Sequence, residues 1–200
     1  MQHDREILRD ALRKIRGLRR PLVTVDGPCA SGKTTFASCL AGILDAAVVH
    51  TDDYVVPHSR KTKERLALPG GNCDAERLMR EVVAPWRGGL PVLVSRYDCH
   101  ADRLLPPKAL PDCGVLVLEG SYCNLPEIRE AADVRFFLDT APEVREARLR
   151  ERESPGSLRM FYEKWIPLEN AYFAFYGLPD AECVVLTEPL KPEAFSGIMD

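Results

Sequence analysis

Apolar residues recur at helical spacing at the start of the chain, where Ile7, Leu8, Ala11, Leu12, Ile15 and Leu18 precede Pro21. Residues 4–19 are therefore expected to form an amphipathic helix. The pattern then changes. Residues 22–25 form a short, largely apolar run entering a glycine-rich turn, and residues 33–44 have the composition of a helix. Two further apolar runs, 46–50 and 115–118, end in carboxylates, the first in Thr51-Asp52-Asp53 and the second in Glu119-Gly120. Residues 134–138 and 183–186 read as a fourth and a fifth strand, with helical stretches near 75–84, 142–153 and 158–175. Strands that are apolar on both faces need cover on both, so this alternation predicts a three-layer α/β fold: a five-stranded parallel sheet with helices on both faces. Residues 54–112, rich in Pro and Gly, hold a strand pair around 92–97 and 104. They read as an inserted acceptor-binding region within one domain spanning 1–200.

Composition narrows the partners. The chain has 200 residues, 46% of them hydrophobic and 28% charged, enough for one sizeable core. A formal net charge of -3 supplies no field for nucleic acid or an anionic membrane, so neither is expected as a partner. No apolar run approaches the roughly 20 residues that span a bilayer. Asp4, Glu6 and Asp10 among the first arginines argue against a signal or transit peptide. Seven scattered cysteines show no CxxC pair and no histidine at zinc-ligand spacing, the usage of reduced thiols in a cytoplasmic protein. A homo-oligomer is compatible with these properties, which do not specify one.

The strongest chemical signal is Gly27-Pro28-Cys29-Ala30-Ser31-Gly32-Lys33-Thr34, which fits GxxxxGK[ST] and lies between a buried strand and a helix. This is the phosphate-binding P-loop of nucleotide hydrolases and kinases. Its glycines let successive N–H groups and the helix N-terminus face phosphate oxygens. Gly27, Ala30, Ser31, Gly32, Lys33, Thr34 and Thr35 would surround the phosphates of ATP, with Lys33 on the β- and γ-phosphates and Thr34 on Mg²⁺.

Ligands in such sheets collect at the carboxyl ends of the strands, so the other strand ends decide the chemistry. Asp52 is placed to take the proton of an acceptor hydroxyl, although an Asp-Asp step also caps short helices. Glu119 stands where P-loop enzymes hold Mg²⁺, directly or through water. Between 143 and 153, arginines and glutamates alternate as on a solvated helix, yet Arg145, Arg148 and Arg152 fall within about 60° of one another. Such a stripe can clamp transferring phosphates, Arg148 centrally, with residues 153–158 forming a short lid beyond it. The aromatics Phe161, Tyr162, Trp165, Tyr172, Phe173 and Phe175 read as core packing.

These motifs, Val-Asp-Gly-Pro-Cys-Ala-Ser-Gly-Lys-Thr-Thr, Thr-Asp-Asp-Tyr, Tyr-Asp-Cys-His and Leu-Glu-Gly, occur in the order seen in uridine kinases. The chain resembles that family from about residue 22 to 186, with phosphoribulokinase, pantothenate kinase and nicotinamide riboside kinase as wider relatives. The resemblance implies that Asp52 is the catalytic aspartate, Asp74 a sugar-contacting aspartate, Tyr97 and His100 nucleoside-site residues, and Glu119 the magnesium-linked glutamate. It also implies that Arg145, Arg148 and Arg152 face the phosphates. The chain departs from the family in lacking the Glu-Arg-Gly lid sequence and in carrying Met160 where those enzymes have a base-contacting glutamine. The expected activity is phosphoryl transfer from ATP to a hydroxyl of a nucleoside or other small alcohol. The alternatives are a nucleoside monophosphate kinase of the cytidylate kinase type and a non-catalytic nucleotide-binding regulator.

Overall fold

The computed structural model describes residues 2–187. In chain order it runs α1 (Gln2–Arg16), β1 (Leu22–Asp26), α2 (Lys33–Leu44) and β2 (Ala46–His50). Next come α3 (Lys63–Ala67), α4 (Ala75–Leu78) and α5 (Ala84–Arg87), then the short strands β3 (Leu93–Val94), β4 (Tyr97–Asp98), β5 (Arg103–Leu104) and β6 (Lys108–Ala109). The last part is β7 (Val115–Glu119), α6 (Pro126–Ala131), β8 (Val134–Leu138), α7 (Pro142–Arg152), α8 (Pro155–Met160), α9 (Ile166–Tyr176) and β9 (Cys183–Leu186). Residues 1 and 188–200 of the expected 1–200 domain lie outside the described residues.

The largely apolar runs form the interior strands. Every residue of β1, β7 and β8 is buried, and the five long strands pair in parallel in the order β2-β7-β1-β8-β9. Successive side chains leave a strand on opposite faces, which divides the core in two. Val23, Val25, Val117 and Phe136 pack with Leu8, Leu12 and Ile15 of α1 and Phe36 and Leu40 of α2. Leu22, Leu116, Leu118 and Phe137 pack on the other face with Tyr54, Leu78, Trp86 and Tyr172. The three-layer parallel sheet expected from the sequence is therefore present. β1 sits at its centre between β7 and β8, so the glycine-rich turn leaves the sheet where strand order reverses, the place such folds bind ligands.

Two helices are longer than their pattern suggests, and proline explains why. Residues 75–87 and 155–176 each continue through one π turn, Met79–Val83 and Phe161–Trp165. Pro85 and Pro167 follow by two residues, and a proline ring clashes with the carbonyl four residues back, here Glu81 and Glu163, both inside the widened turns. In the other direction, α1 stops at Arg16 rather than 19, its end closed by the Gly17 N–H on the Arg13 and Lys14 carbonyls. The four short strands form one nested hairpin, with Leu93 and Val94 facing Ala109 and Lys108, and Tyr97 and Asp98 facing Leu104 and Arg103.

Candidate active site

Gly27 leaves β1 at φ 137°, and a Cβ there would lie 2.6 Å from the Leu138 carbonyl oxygen, so only glycine can carry the chain past the end of β8. Gly32, at φ 98°, opens α2. Between them Lys33 Nζ donates to the carbonyls of Gly27 (2.7 Å) and Pro28 (3.0 Å), spanning the loop. Arg148 donates to the Ala30 carbonyl at 3.0 Å and Thr140 Oγ1 to that of Ser31 at 3.0 Å, tying the loop to the end of β8 and to α7. The buried Ser31 hydroxyl has no partner among the described residues. A curled loop with two left-handed glycines, a helix N-terminus and a lysine across it suits a nucleotide's phosphates.

The loop floors a cleft of about 790 Å³ that Asp52, Glu119, Arg148 and Arg152 also line. Thr34 Oγ1 lies 3.2 Å from Glu119 Oε1, and His50 Nδ1 bonds the same carboxylate oxygen. That bond holds His50 above its ordinary pKa. Thr34 and Glu119 could hold a divalent cation. Among the described residues no group of three His, Cys, Asp or Glu side chains has metal-holding geometry, so water and phosphate oxygens would supply the other ligands.

Asp52 and Asp53 share a 3-10 turn but not a fate. Asp53 accepts from Arg96 Nε at 2.6 Å, and its carbonyl accepts from Arg77 at 3.0 Å. Asp52 has no hydrogen bond or ion pair among the described residues and faces the cleft. Its side chain is open to cleft water but walled by protein elsewhere. Desolvation therefore raises its pKa above the carboxylate range, Lys33 pulls it down, and the nearby Glu119 and Glu169 push it up. The turn is fixed by Thr51 Oγ1, which donates to the Ser121 carbonyl at 2.8 Å. Gly120 (φ 130°) passes so close that a Cβ would lie 2.3 Å from Thr51 Oγ1. Gly120→Ala is accordingly expected to displace Thr51 and Asp52 together. Chemical denaturation should show a loss of about 1–3 kcal/mol, and turnover should fall further than that loss of folded protein explains.

No protein-family model and no curated protein matches the chain. Among solved structures it is similar to a possible uridine kinase from Bacillus stearothermophilus, with 19% identity, 92% of this chain and 98% of that one covered, and a TM-score of 0.66. It is also similar to YFH7 from Saccharomyces cerevisiae, described as a candidate P-loop containing kinase with a circular permutation, at 10% identity, 94% and 98% coverage and a TM-score of 0.60. TT1252 from Thermus thermophilus aligns at 14% identity over 91% of this chain and 95% of that one, with a TM-score of 0.51. The fold is the three-layer α/β P-loop fold that these structures share.

Within this P-loop fold, Ala30, Gly32, Lys33, Thr34, Thr35, Asp52, Glu119, Arg148 and Arg152 converge on one cleft. Gly27 and Ser31 shape the loop from behind. Arg145 does not reach the cleft wall: its Nε donates to the Thr140 carbonyl at 3.0 Å and braces the turn into α7. Asp74, expected at the acceptor, is fully buried; it caps α4 through the Arg77 N–H and accepts from Arg60 at 2.9 Å. Tyr97 is buried too, its hydroxyl bonded to Asp102, and exposed His100 meets Asp98 through its backbone N–H. Neither lines the cleft, because the hairpin turns Tyr97 toward His58 and Asp102; Cys99 between them does line it. Residues 153–158, expected as a lid, form a two-residue break and the first turn of α8, which Ser154 caps by accepting from the Ser157 N–H.

Four contributors escaped the sequence reading. Phe161 and Trp165, read as core, line the cleft, whereas Tyr172 is fully buried as expected. Glu169 lines the cleft on the same helical run. The signal was available: positions 161, 165, 169 and 172 follow helical spacing, and a glutamate within an apolar stripe is out of pattern. Asp26, the fourth, lies beneath the loop and accepts from Gly27 N–H (2.7 Å), Tyr172 Oη (2.8 Å) and both Asn124 nitrogens (3.1 Å each).

Burial pushes the Asp26 carboxyl up to about 6 from an ordinary 3.8, although these donors pull it down. Between those values the folded chain holds a proton that the unfolded chain releases, so stability falls as pH rises through the window. A shift of this size corresponds to about 3 kcal/mol. Denaturation of wild type and Asp26→Asn at pH 4 and pH 7 should show the wild type losing more stability than the variant over that interval. A stability difference between the two that does not change with pH would exclude it.

Proposed function

We propose that the protein is an ATP-dependent phosphotransferase acting on a hydroxyl of a small molecule without negative charge. The observation that carries this reading is Asp52: an unpaired carboxylate facing the cleft beside Lys33, one residue from an aspartate tied up by Arg96. An alcohol must lose a proton as its oxygen attacks phosphorus, and a carboxylate of raised pKa is suited to receive it. Lys33, with Arg148 and Arg152, would balance charge on the phosphates of ATP as the bond to the leaving oxygen breaks. A Mg²⁺ ion at Thr34 and Glu119 would supply further charge neutralisation there.

The side chains around Asp52 favour an alcohol over a nucleoside monophosphate. A second phosphate needs a cation of its own, and the arginines on this side are engaged: Arg60 by Asp74, Arg96 by Asp53, and Arg77 by the Ser95 and Asp53 carbonyls. Val55, Asn72, Cys99 and Tyr122 line the wall near Asp52. Met160 is 44% exposed and does not line the cleft, so no amide at that position reads a nucleobase.

Phosphate transfer from labelled ATP to paired acceptors that differ in one anionic group tests this reading. Nucleosides would be set against their monophosphates, and sugar alcohols and pantothenol against their acids. The uncharged member of each pair is expected to be labelled. Uridine and cytidine are expected to be poor substrates, below about 10⁴ M⁻¹s⁻¹ in kcat/KM. Transfer confined to monophosphates would establish the alternative kinase reading, and ATP binding without transfer to any acceptor would establish a regulator.

A further inference from the structure

Helix α9 reaches the phosphate loop at two points. Tyr172 donates its hydroxyl to Asp26 and accepts from the Asn124 N–H, gripping the strand end from which the loop departs. One turn earlier, Glu169 is 5% exposed and bridges two other segments: Oε2 accepts from the Cys29 N–H at 2.8 Å, inside the loop, and Oε1 accepts from Ser121 Oγ at 2.5 Å, two residues beyond Glu119. A carboxylate beside an anion site opposes the anion electrostatically, so its presence in this cleft calls for a role other than attraction. Geometry supplies one. The two carboxylate oxygens accept from two donors at once, and those donors belong to the two halves of the site: the loop that carries Lys33 and Thr34, and the strand end that carries Glu119.

We propose that Glu169 is a positioning residue that locks the phosphate loop to the end of β7 and so fixes the separation of Thr34 and Lys33 from Glu119. The same run of helix presents Phe161 and Trp165 to the cleft, so the element that shapes the apolar wall also sets the loop. Burial, with the charge of Glu169, pushes the Cys29 thiol up to about 11, which keeps it protonated. Cys29 thus serves the loop through its N–H and not as a nucleophile. The proposal rests on reading the cleft as a nucleotide site, and its test separates the two.

Full-length wild type, Glu169→Ala and Glu169→Gln would be compared by hydrogen exchange of the loop amides without nucleotide and by steady-state kinetics against ATP. Alanine leaves both donors unanswered. Exchange of the Cys29 amide is expected to accelerate about tenfold or more, and kcat/KM for ATP to fall about 10²-fold, as misplacement of about 1 Å can cause. Glutamine can still accept from Cys29, and it can donate to Ser121 if that hydroxyl turns to accept, so it should restore most of the protection and most of kcat/KM. Unchanged amide exchange in folded Glu169→Ala would overturn the proposal. So would a glutamine variant as impaired as alanine in both readouts, which would assign the effect to charge. If Glu169→Ala does not fold, Ser121→Ala, which removes one of the two anchors, should give a smaller acceleration in the same peptide, and no acceleration would again refute the lock. Faster exchange in Glu169→Ala, together with a wild type that neither binds nor turns over ATP, would sustain the lock and remove the nucleotide reading.

Discussion

Lys33→Ala is expected to reduce kcat/KM for ATP by about 10²–10³-fold while leaving the fold intact. The only hydrogen bonds that Lys33 Nζ makes among the described residues are to the Gly27 and Pro28 carbonyls. Gly27 and Pro28 are buried, but Lys33 itself is half-buried on the cleft, so water entering the space it leaves can bond both carbonyls. The loop is held independently by Glu169, Arg148 and Thr140, so the variant should keep its melting behaviour. What disappears is the cation that would stand beside a nucleotide's phosphates. Wild-type turnover in a folded Lys33→Ala protein would remove the P-loop from the mechanism.

Asp52→Asn is expected to lower kcat by about 10²–10⁴-fold with little change in ATP affinity, because the amide keeps the shape and cannot take the proton. Asp53→Asn should weaken the bond to Arg96 and have a smaller effect. The pH dependence has a definite sign. Only the ionised carboxylate accepts a proton, so activity should be lost as pH falls through the Asp52 pKa, at a point above the usual carboxylate range because the group is desolvated. If Asp53→Asn is the more damaging substitution, the base has been assigned one residue early.

Much of this architecture is legible in the sequence. Short, largely apolar runs such as 115–118, too short for a helix and set between turn residues and helical stretches, read as strands of a covered sheet, and all five long strands are readable from such runs. The P-loop was legible because its glycines answer to backbone geometry: Gly27 stands where a Cβ would strike the Leu138 carbonyl. Asp74, Tyr97 and His100 were harder. Their expected roles came from motif order, whereas their orientation is decided by long-range partners, Arg60 for Asp74 and Asp102 for Tyr97. Nothing within a few residues of those positions encodes the partner. Phe161 and Trp165 are illegible for another reason: a helical aromatic stripe looks the same whether it faces a core or a cleft, and only the placement of the 155–176 helical run against the loop separates them.

The distribution of thiols has a practical consequence. Cys73 and Cys123 are buried and held far from ionisation, and Cys29 is pushed up to about 11, whereas Cys99 is exposed at the cleft wall. A maleimide dye should therefore attach first at Cys99. The chain thus carries a native attachment point for a fluorophore beside its own cleft, and the rate of labelling at that sulfur, followed as candidate acceptors are added, would serve as a screen for ligands that needs no turnover.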